Sequence, residues 1–385
     1  MKTPTVRAAT AAASGALRAA FELAPGGPVR PASTLRLLTT EASLFTSLHA
    51  LVDGALTTID ARFYMVLADS EGRRFTNALL DARRRGVTVR LVVDELGSPS
   101  AGPLVEELLE GGCEVRVFHS LADTDLLDLD RRDHAKLLLR DRKVAWVASA
   151  NVGDAYASWF NDAGVTLGGE VVEDLVRDFD TFWRSLGSGD DHARAVPRAR
   201  RPEARAAGQG LPIRVVQNTP NRFALAGHVE AMLLGAKHRI DVHHCYLTNA
   251  EVLRVLALRA RGGVKVTVIV PEESDVPAVG LVVEASLDPL LDAGVRVVRL
   301  SGRSHRKVLL VDRGWLLLGS GNLDDLSLRQ NLEVCVAVYS GTVGLLATAL
   351  LFAADQRGAH ALTRSPLRCW KRPLARLLSW LRPWL

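Results

Sequence analysis

The sequence has little of what disulfide frameworks, metal sites or membrane spans require. Its four cysteines are scattered through 385 residues at spacings that fit neither a disulfide framework nor a metal site, so we expect a reducing compartment. The longest apolar run, Val343 to Ala354, is too short to cross a bilayer and predicts a buried helix. Residues 1–33 lack the apolar core of a signal peptide. We expect a frayed tail or a loose amphipathic helix there, with a transit-like leader as the alternative.

Positive charge is concentrated near one end of the sequence. The whole chain has a net charge of +5, yet the segment 363–385 alone contains six cations and no acid: Arg364, Arg368, Lys371, Arg372, Arg376 and Arg382. The rest of the chain is therefore close to neutral. A nonspecific nuclease needs basic residues spread around its site to neutralise phosphates, so we expect no nucleic-acid partner.

The same basic segment has the pattern of an amphipathic helix. Pro373 suits a helix start, and leucines follow at positions i, i+3, i+4 and i+7, namely Leu374, Leu377, Leu378 and Leu381. Three tryptophans suited to a membrane–water interface accompany them, Trp370, Trp380 and Trp384. We predict that residues 363–385 form a tail lying in the plane of an anionic membrane surface; a helix docked on the body is the alternative.

A gapless internal repeat organises the body of the chain. Counted from each of two histidines, Lys lies at +2, Asp at +7, Ser at +15, Asn at +17 and an acid at +28. The first copy comprises His134, Lys136, Asp141, Ser149, Asn151 and Asp162. The second copy comprises His305, Lys307, Asp312, Ser320, Asn322 and Glu333. Six polar positions that match in register predict two similar halves, each carrying half of one site.

These residue types suit the transfer of a phosphate group. His and Lys two apart on a strand point to the same face, as do Ser and Asn two apart after the next apolar run. The lysines, asparagines and serines can together hold a phosphate while it is attacked. Asp162 and Glu333 are the candidates to orient the histidines, one as nucleophile and one as general acid. Asp141 and Asp312 differ in parity from the histidines and precede a predicted turn, which favours a structural role.

Outside the motifs, apolar strands alternate with amphipathic helices. A helix at 72–85 and a strand at 87–94 have counterparts at 250–261 and 264–270, and a further helix is predicted at 282–293. This alternation predicts an α/β fold of two similar halves, each a mixed sheet flanked by helices, with the site at their interface. The predicted boundaries are 34–187 and 212–362 for the halves and 188–211 for a basic Ala/Pro/Arg linker.

The doubled HxKxxxxD motif, each copy followed by Ser-x-Asn, resembles the phospholipase D superfamily. Finer features are similar to the bacterial cardiolipin synthase branch, over roughly residues 35–360. They are Asn151-Val-Gly-Asp-Ala-Tyr156 in the first half and Gly319-Ser-Gly-Asn-Leu-Asp324 in the second. The resemblance implies two phospholipase D-type halves, a covalent phosphohistidine intermediate, and neither metal nor cofactor.

Three features depart from that branch. Asp133 precedes the first motif histidine, Arg306 follows the second, and His243-His244-Cys245-Tyr246 replaces a more aromatic strand end. That strand should point at the site. For His243 and His244, a contact with substrate and a place in the core or at the rim are both open.

We therefore predict a cardiolipin synthase-like phosphatidyltransferase that moves a phosphatidyl group from phosphatidylglycerol to a lipid alcohol. By the resemblance, His134 is taken as the nucleophile and His305 as the general acid. The alternatives are a hydrolytic phospholipase D, a phosphodiesterase or nuclease of the same superfamily, and a non-enzymatic membrane-binding protein, which the intact double motif disfavours. We expect a monomeric bacterial enzyme, peripheral on the cytoplasmic face of the cell membrane, with no transmembrane helix.

Overall fold

Strands and helices follow the same order in both halves of the chain. The computed structural model describes residues 5–6, 15–119, 131–187, 210–353, 359–367 and 371–380. The first half comprises β1 (Thr5–Val6), α1 (Gly15–Leu23), β2 (Val29–Leu38), α2 (Glu41–Asp53), β3 (Thr58–Phe63), α3 (Ser70–Arg84), β4 (Thr88–Asp94), α4 (Gly102–Glu110), β5 (Glu114–Phe118), β6 (Lys136–Arg140), β7 (Val144–Ala148), α5 (Asp154–Ser158), β8 (Gly164–Gly169) and α6 (Val171–Ser185).

The second half repeats this order and then adds a C-terminal helix. It comprises β9 (Leu211–Thr219), β10 (Arg222–Phe223), α7 (Leu225–Gly235), β11 (Arg239–His244), α8 (Ala250–Arg261), β12 (Lys265–Glu273), α9 (Pro277–Ala285), α10 (Leu287–Asp292), β13 (Arg296–Arg303), β14 (Lys307–Val311), β15 (Trp315–Gly319), α11 (Asp325–Arg329), β16 (Glu333–Tyr339), α12 (Gly341–Ala347), a π-helical turn (Thr348–Ala353), β17 (His360–Ala361) and α13 (Arg372–Trp380). The region predicted as one helix at 282–293 is thus divided between α9 and α10.

The strands form one mixed sheet that runs through both halves. In the first half the order is β5–β4–β3–β6–β7–β8–β2, with β3, β4 and β5 parallel and the other neighbours antiparallel. In the second half β13–β12–β11–β14–β15–β16–β9 repeats it. Antiparallel pairing of β2 with β9 joins the two halves. The predicted α/β fold of two similar halves is confirmed.

Tight turns connect the motif strands β6 to β7 and β14 to β15. Asp141 and Arg142 have φ of 49° and 54°, and Asp312 and Arg313 have 49° and 53°. Two successive left-handed residues are typical of the type I′ hairpin turn. The Asp312 carboxylate accepts backbone N–H bonds from residues 237–239, and Asp141 accepts them from residues 56–58. Each aspartate therefore fixes the loop that leads into the neighbouring strand, β3 or β11.

One large apolar cluster is shared by the two halves. Helices α6 and α12 pack against the central strands, and Phe179 and Val343 are fully buried there beside Leu137 and Val308. Burial of a side chain as large as Phe179 contributes up to about 3 kcal/mol. Separate clusters lie on the outer sides of the first and second halves. The shared cluster holds the halves together at the face where the motif histidines meet.

Part of the segment predicted to be an N-terminal tail is folded. Helix α1 packs on α7 of the second half, and β2 begins at Val29, before the predicted start of the first half. Leu17 and Phe21 are buried, and the Phe21 ring stacks on Tyr339 with centroids 5.4 Å apart. Arg214 donates to the carbonyl oxygen of Glu22 at 2.7 Å. The i, i+4 spacing of Leu17 and Phe21 is helical, but the second half that covers them is remote in sequence.

Part of the basic C-terminal segment forms a helix that packs on the body of the protein. Helix α13 packs against α9, and Ala375 is buried. The predicted leucine stripe is on another side of the helix, because Leu374 and Leu377 are 48% and 65% exposed. Across the described ranges, which omit 368–370 and 381–385, no helix is both long and apolar enough to cross a membrane. Most of the predicted linker, 188–209, also lies outside the described residues.

Candidate active site

The two motif histidines stand just before the equivalent strands β6 and β14, where the halves touch. Short parallel bridges pair Asp133 with Leu332 and Asn161 with Ser304. The backbone N–H of His134 donates to the carbonyl oxygen of Leu332 at 3.0 Å, and that of His305 to Asn161 at 3.1 Å. Leu332 and Asn161 immediately precede the two motif acids. The chain therefore places each histidine against the acid of the opposite half.

Each histidine ring is held by the carboxylate that the other half supplies. Nδ1 of His134 lies 3.0 Å from Oε1 of Glu333, and Nδ1 of His305 lies 3.0 Å from Oδ1 of Asp162. All four side chains are buried. A carboxylate on Nδ1 fixes the ring orientation and leaves Nε2 to face a reactant. Spacing within the sequence identified these acids but did not indicate that they cross between halves.

The motif serines support the acids. Oγ of Ser149 donates to Oδ1 of Asp162 at 2.5 Å and accepts the N–H of Ala163 at 3.0 Å. Ser320 makes the corresponding bonds to Glu333 and Val334. Because a hydroxyl has one proton, these contacts leave none for a phosphate oxygen. The contacts therefore do not support the predicted role of Ser149 and Ser320 in phosphate binding.

Two buried lysine ammonium groups lie beside the histidines. Nζ of Lys136 donates to the carbonyl oxygen of His134 at 2.8 Å and lies 5.2 Å from the ring centroid of Tyr64. Nζ of Lys307 donates to the carbonyl oxygen of His305 at 2.9 Å and also lies 2.8 Å from its Nε2. Buried cations are costly unless anions balance them, so the site is suited to an anionic ligand.

The motif asparagines lie at the same place in their halves. Among the described residues, Oδ1 of the buried Asn151 has no hydrogen-bond partner, and Oδ1 of Asn322 accepts only a weak bond from the Cys245 thiol, 3.6 Å away. Amides of this kind can hydrogen-bond an oxygen-rich ligand through their NH₂ groups. Among the described residues, no three His, Cys, Asp or Glu side chains are grouped as metal ligands.

Burial and the lysines depress the basicity of both histidines. The pKa of His134 is well below its usual value, because of burial first and then the charges of Lys136 and Lys307. Burial and Lys307 also lower the pKa of His305, while Asp162 opposes that shift. Burial lowers the pKa of Lys136 to about 7, although Glu333 opposes it. The histidines are therefore neutral in the free site near neutral pH.

The two acids differ in their electrostatics. Burial raises the pKa of Glu333 to about 7. Burial would raise the pKa of Asp162 as well, but His305, Lys307 and the Ser149 hydroxyl outweigh it and hold that pKa below its usual value. At neutral pH, Asp162 is ionised while Glu333 is partly protonated. The half-site of His305 can therefore stabilise an imidazolium better than that of His134.

Aromatic rings surround the histidines. Tyr64 meets the ring of His134 edge-on at 4.9 Å between centroids, and Tyr156 and Phe160 lie 5.4 and 5.8 Å from His305. Trp159, beside Phe160, is 66% exposed. Sequence reasoning missed Tyr64 and Phe160 as site residues. A signal for Tyr64 was available, because it follows β3, the strand equivalent to β11. The stretch at the end of β11, His243-His244-Cys245-Tyr246, had already been singled out as pointing at the site.

Two departures from the resembling branch have local structural explanations. Asp133 forms a buried ion pair with Arg62, with Nε–Oδ2 and Nη2–Oδ1 distances of 3.1 and 2.5 Å. Arg306 is buried, and its guanidinium donates to the carbonyl oxygens of Thr39 at 2.6 Å and Asp162 at 3.3 Å. Arg306 thus holds the backbone of Asp162, the acid that orients the neighbouring His305.

Comparison with known proteins agrees with this geometry. A family model described as cardiolipin synthase, PLD-like domain, matches residues 49–183 and 229–349, more than half of the chain. A cardiolipin synthase from Geobacillus sp. (strain WCH70) is 25% identical over 324 residues, which cover 81% of this chain and 64% of that protein. Cardiolipin synthase B from Escherichia coli (strain K12) is 27% identical over 323 residues, covering 80% and 77%.

A solved structure shares the architecture. Phosphatidylserine synthase from Haemophilus influenzae Rd KW20 superposes with a TM-score of 0.74 at 14% identity, over 95% of this chain and 97% of that one. At this identity the likeness shows the fold alone. The chain spans less than two-thirds of the length of the Geobacillus relative. Because the family model covers most of both halves, the resemblance read from the motifs is confirmed, and the chain belongs to the cardiolipin synthase, PLD-like domain family.

Proposed function

We propose that this chain is a phosphatidyltransferase that works through a phosphohistidine on His134. The observation that carries the proposal is the pair of buried histidines, each held at Nδ1 by a carboxylate of the other half and each beside a buried lysine. Such a pair supplies a nucleophile, a general acid and charge for a phosphodiester at one place. Because these relatives are named cardiolipin synthases, we propose phosphatidylglycerol as the donor and a second lipid alcohol as the acceptor.

The reaction divides into two balanced displacements. In the first, Nε2 of His134 attacks the phosphorus of phosphatidylglycerol and the bond to the glycerol oxygen breaks. Protonated His305 gives that oxygen its Nε2 proton, so glycerol leaves neutral. In the second, His305 takes the proton of the incoming hydroxyl, whose oxygen attacks phosphorus as the phosphorus–nitrogen bond to His134 breaks. Both histidines return to their starting states, and Lys136 and Lys307 balance the phosphate charge.

The difference in pKa between Asp162 and Glu333 supports this division of roles. A general acid must carry a proton once the substrate is bound, and ionised Asp162 stabilises an imidazolium at His305. A nucleophile must be unprotonated, and the pKa of His134 lies well below its usual value because of burial and two lysines. An anionic phosphodiester draws Lys307 from Nε2 of His305 and favours protonation of that ring.

Lipid analysis tests the proposed function directly. The full chain, produced in a bacterial host that lacks cardiolipin, should yield cardiolipin from phosphatidylglycerol, and the His134→Ala variant should not. The purified protein should do the same with EDTA present, because no metal is needed in this scheme. Release of phosphatidic acid without cardiolipin would favour the hydrolytic alternative. An EDTA-sensitive activity that divalent ions restore would contradict the metal-free scheme.

Turnover should be lost as pH falls through about 7. Burial raises the pKa of Glu333 to about 7, so below that pH the group that must balance positive charge on His134 becomes a neutral acid. Asp162 should remain ionised over the same range. A profile of kcat/KM across neutral pH checks this, and the acid limb should be absent from the residual activity of Glu333→Gln. A limb that persists unchanged in that variant would assign it to another group.

We also propose that α13 meets an anionic membrane through its exposed leucines. Replacing Leu374 and Leu377 together by serine should weaken sedimentation with phosphatidylglycerol vesicles by about tenfold or more, because apolar burial at the interface is lost. Turnover of a short-chain soluble phosphodiester should stay unchanged. Leu56→Ser, at an 82% exposed position in the loop before β3, is the matched control and should bind normally. Equal binding by the double variant would leave α13 a purely structural docked helix.

A further inference from the structure

The structure assigns His243 a positioning role. We propose that this buried histidine holds Ser304, and through it the adjacent His305, in the place that proton transfer requires. The inference deepens the proposed function and rests on its assignment of His305 as the general acid. His243 lies near the end of β11 and does not itself touch the reacting atoms in this scheme. Its action would pass through one hydroxyl and one backbone carbonyl.

The contacts form a short chain from His243 to the catalytic pair. Nε2 of His243 lies 2.8 Å from Oγ of Ser304, and Oγ donates to the carbonyl oxygen of Asn161 at 3.1 Å. Because the hydroxyl proton is used on Asn161, the bond to His243 must be donated by its Nε2–H. The same Asn161 carbonyl accepts the backbone N–H of His305 at 3.1 Å, and the next residue, Asp162, holds the His305 ring.

The first half has a different pair at the same two positions. Arg62 lies opposite Leu137 in the β3–β6 ladder, and His243 lies opposite Val308 in the β11–β14 ladder, one repeat later. Arg62 binds Asp133, the residue before His134, as His243 binds Ser304 before His305. In both halves, therefore, the strand beside the motif holds the residue that precedes the histidine. The first half does so with an ion pair and the second with a histidine–hydroxyl pair.

The histidine–hydroxyl pair permits a bond that the ion pair lacks. In its pair with Arg62 the Asp133 carboxylate only accepts hydrogen bonds, whereas the Ser304 hydroxyl also donates across the interface to Asn161. His243 completes this arrangement because its N–H satisfies the hydroxyl lone pair. His243 and Ser304 are both buried, so water cannot readily replace a lost bond. The second half thus adds a side-chain bond between the residue before its histidine and the backbone of the other half.

Leaving-group dependence separates positioning of a general acid from general damage. Glycerol must be protonated as it leaves phosphatidylglycerol, whereas p-nitrophenolate leaves phosphatidyl-p-nitrophenol without a proton. His243→Leu and Ser304→Ala should each slow turnover of phosphatidylglycerol about ten- to a hundredfold, as expected for a misplaced catalytic group. The first-turnover burst of p-nitrophenolate should change by less than about threefold, because it needs no general acid. His243→Gln, which keeps a donor, should restore most of the phosphatidylglycerol turnover.

Matched variants make each outcome decisive. His244 is buried next to His243, and the equivalent residue of the first half is Phe63. His244→Phe should therefore leave both phosphatidylglycerol turnover and the p-nitrophenolate burst normal. Equal losses on both substrates in His243→Leu and Ser304→Ala, or no loss in either, would overturn the inference. His305→Ala should also slow phosphatidylglycerol turnover while sparing the p-nitrophenolate burst, and its loss of phosphatidylglycerol turnover should be larger. If His305→Ala slows both reactions equally, the general-acid assignment fails. If His305→Ala slows only phosphatidylglycerol turnover and the His243 and Ser304 variants lose nothing, only the positioning role fails. Ser304→Ala decides the matter should His243→Leu not fold.

Discussion

Replacing either His134 or His305 by alanine should lower turnover of phosphatidylglycerol by roughly a thousandfold or more, as when a member of a catalytic nucleophile unit is removed. Without His134 no phosphorus–nitrogen bond can form. Without His305 the leaving glycerol oxygen has no proton donor and the acceptor hydroxyl has no base. The double variant should be little worse than either single variant, because each loss already disables the same sequence of steps. Steady-state formation of cardiolipin from labelled phosphatidylglycerol is the measurement.

An exposed histidine supplies the control for this result. His238 lies in the loop between α7 and β11, where its backbone N–H binds the structural Asp312. His238→Ala should keep normal turnover and normal thermal stability. Near-normal turnover in His305→Ala would contradict the two-histidine scheme. Additive losses in the double variant would indicate that the histidines serve separate reactions.

Exchanging each motif acid for its amide should reveal that the acids act across the interface. Asp162→Asn and Glu333→Gln should each reduce turnover of phosphatidylglycerol by about a hundredfold or more, because an amide neither fixes the ring tautomer nor balances an imidazolium. Asp162→Asn should act through His305 and spare the p-nitrophenolate burst. Glu333→Gln should act through His134 and slow that burst. Both predictions follow from the 3.0 Å contacts between halves.

The reverse pattern would have a definite meaning. If each acid oriented the histidine of its own half, Asp162→Asn would slow the burst and Glu333→Gln would spare it. Ser70→Ala offers a control in an exposed hydroxyl that binds a different aspartate, Asp154, and should alter neither reaction. Thermal unfolding of every variant distinguishes lost chemistry from lost structure. An unchanged rate in both amide variants would show that the matched spacing of the acids has no catalytic meaning.

The repeat made much of the fold and the site predictable. Elements with strong local patterns were placed within about two residues at their ends: the helix predicted at 72–85 is α3 (Ser70–Arg84), and the strand predicted at 87–94 is β4 (Thr88–Asp94). The motif residues could be grouped because six polar positions share one register. The sequence could not show which half contributes the acid that contacts each histidine. His134 and Asp162 have the same spacing as His305 and Glu333, and this spacing fits contacts within a half as well as contacts between halves. Only the packing of the halves decides that contact.

Strands β2 and β9, which join the halves, and the neighbouring β8 were not predicted. β8 (Gly164–Gly169) contains three glycines, and β2 and β9 mix polar with apolar residues, so their local preference for a strand is weak. Pairing with remote partners stabilises them: Leu35 lies opposite Leu167, and Val29 opposite Arg214. Helix α1 was underestimated for the same reason. Its apolar face is short, and the core that covers it belongs to the other end of the chain.

The exchange of acids between halves bears on how such a chain could arise by duplication. A polypeptide with one copy of the motif would hold a histidine and an acid that cannot meet, so it could complete a site only as a two-fold symmetric pair of subunits. In that pair both acids would be encoded by one codon and would be identical. Fusion of two copies into one chain removes this constraint. Asp162 and Glu333 are then free to differ, and a site with twofold ancestry can assign unequal tasks to its two histidines.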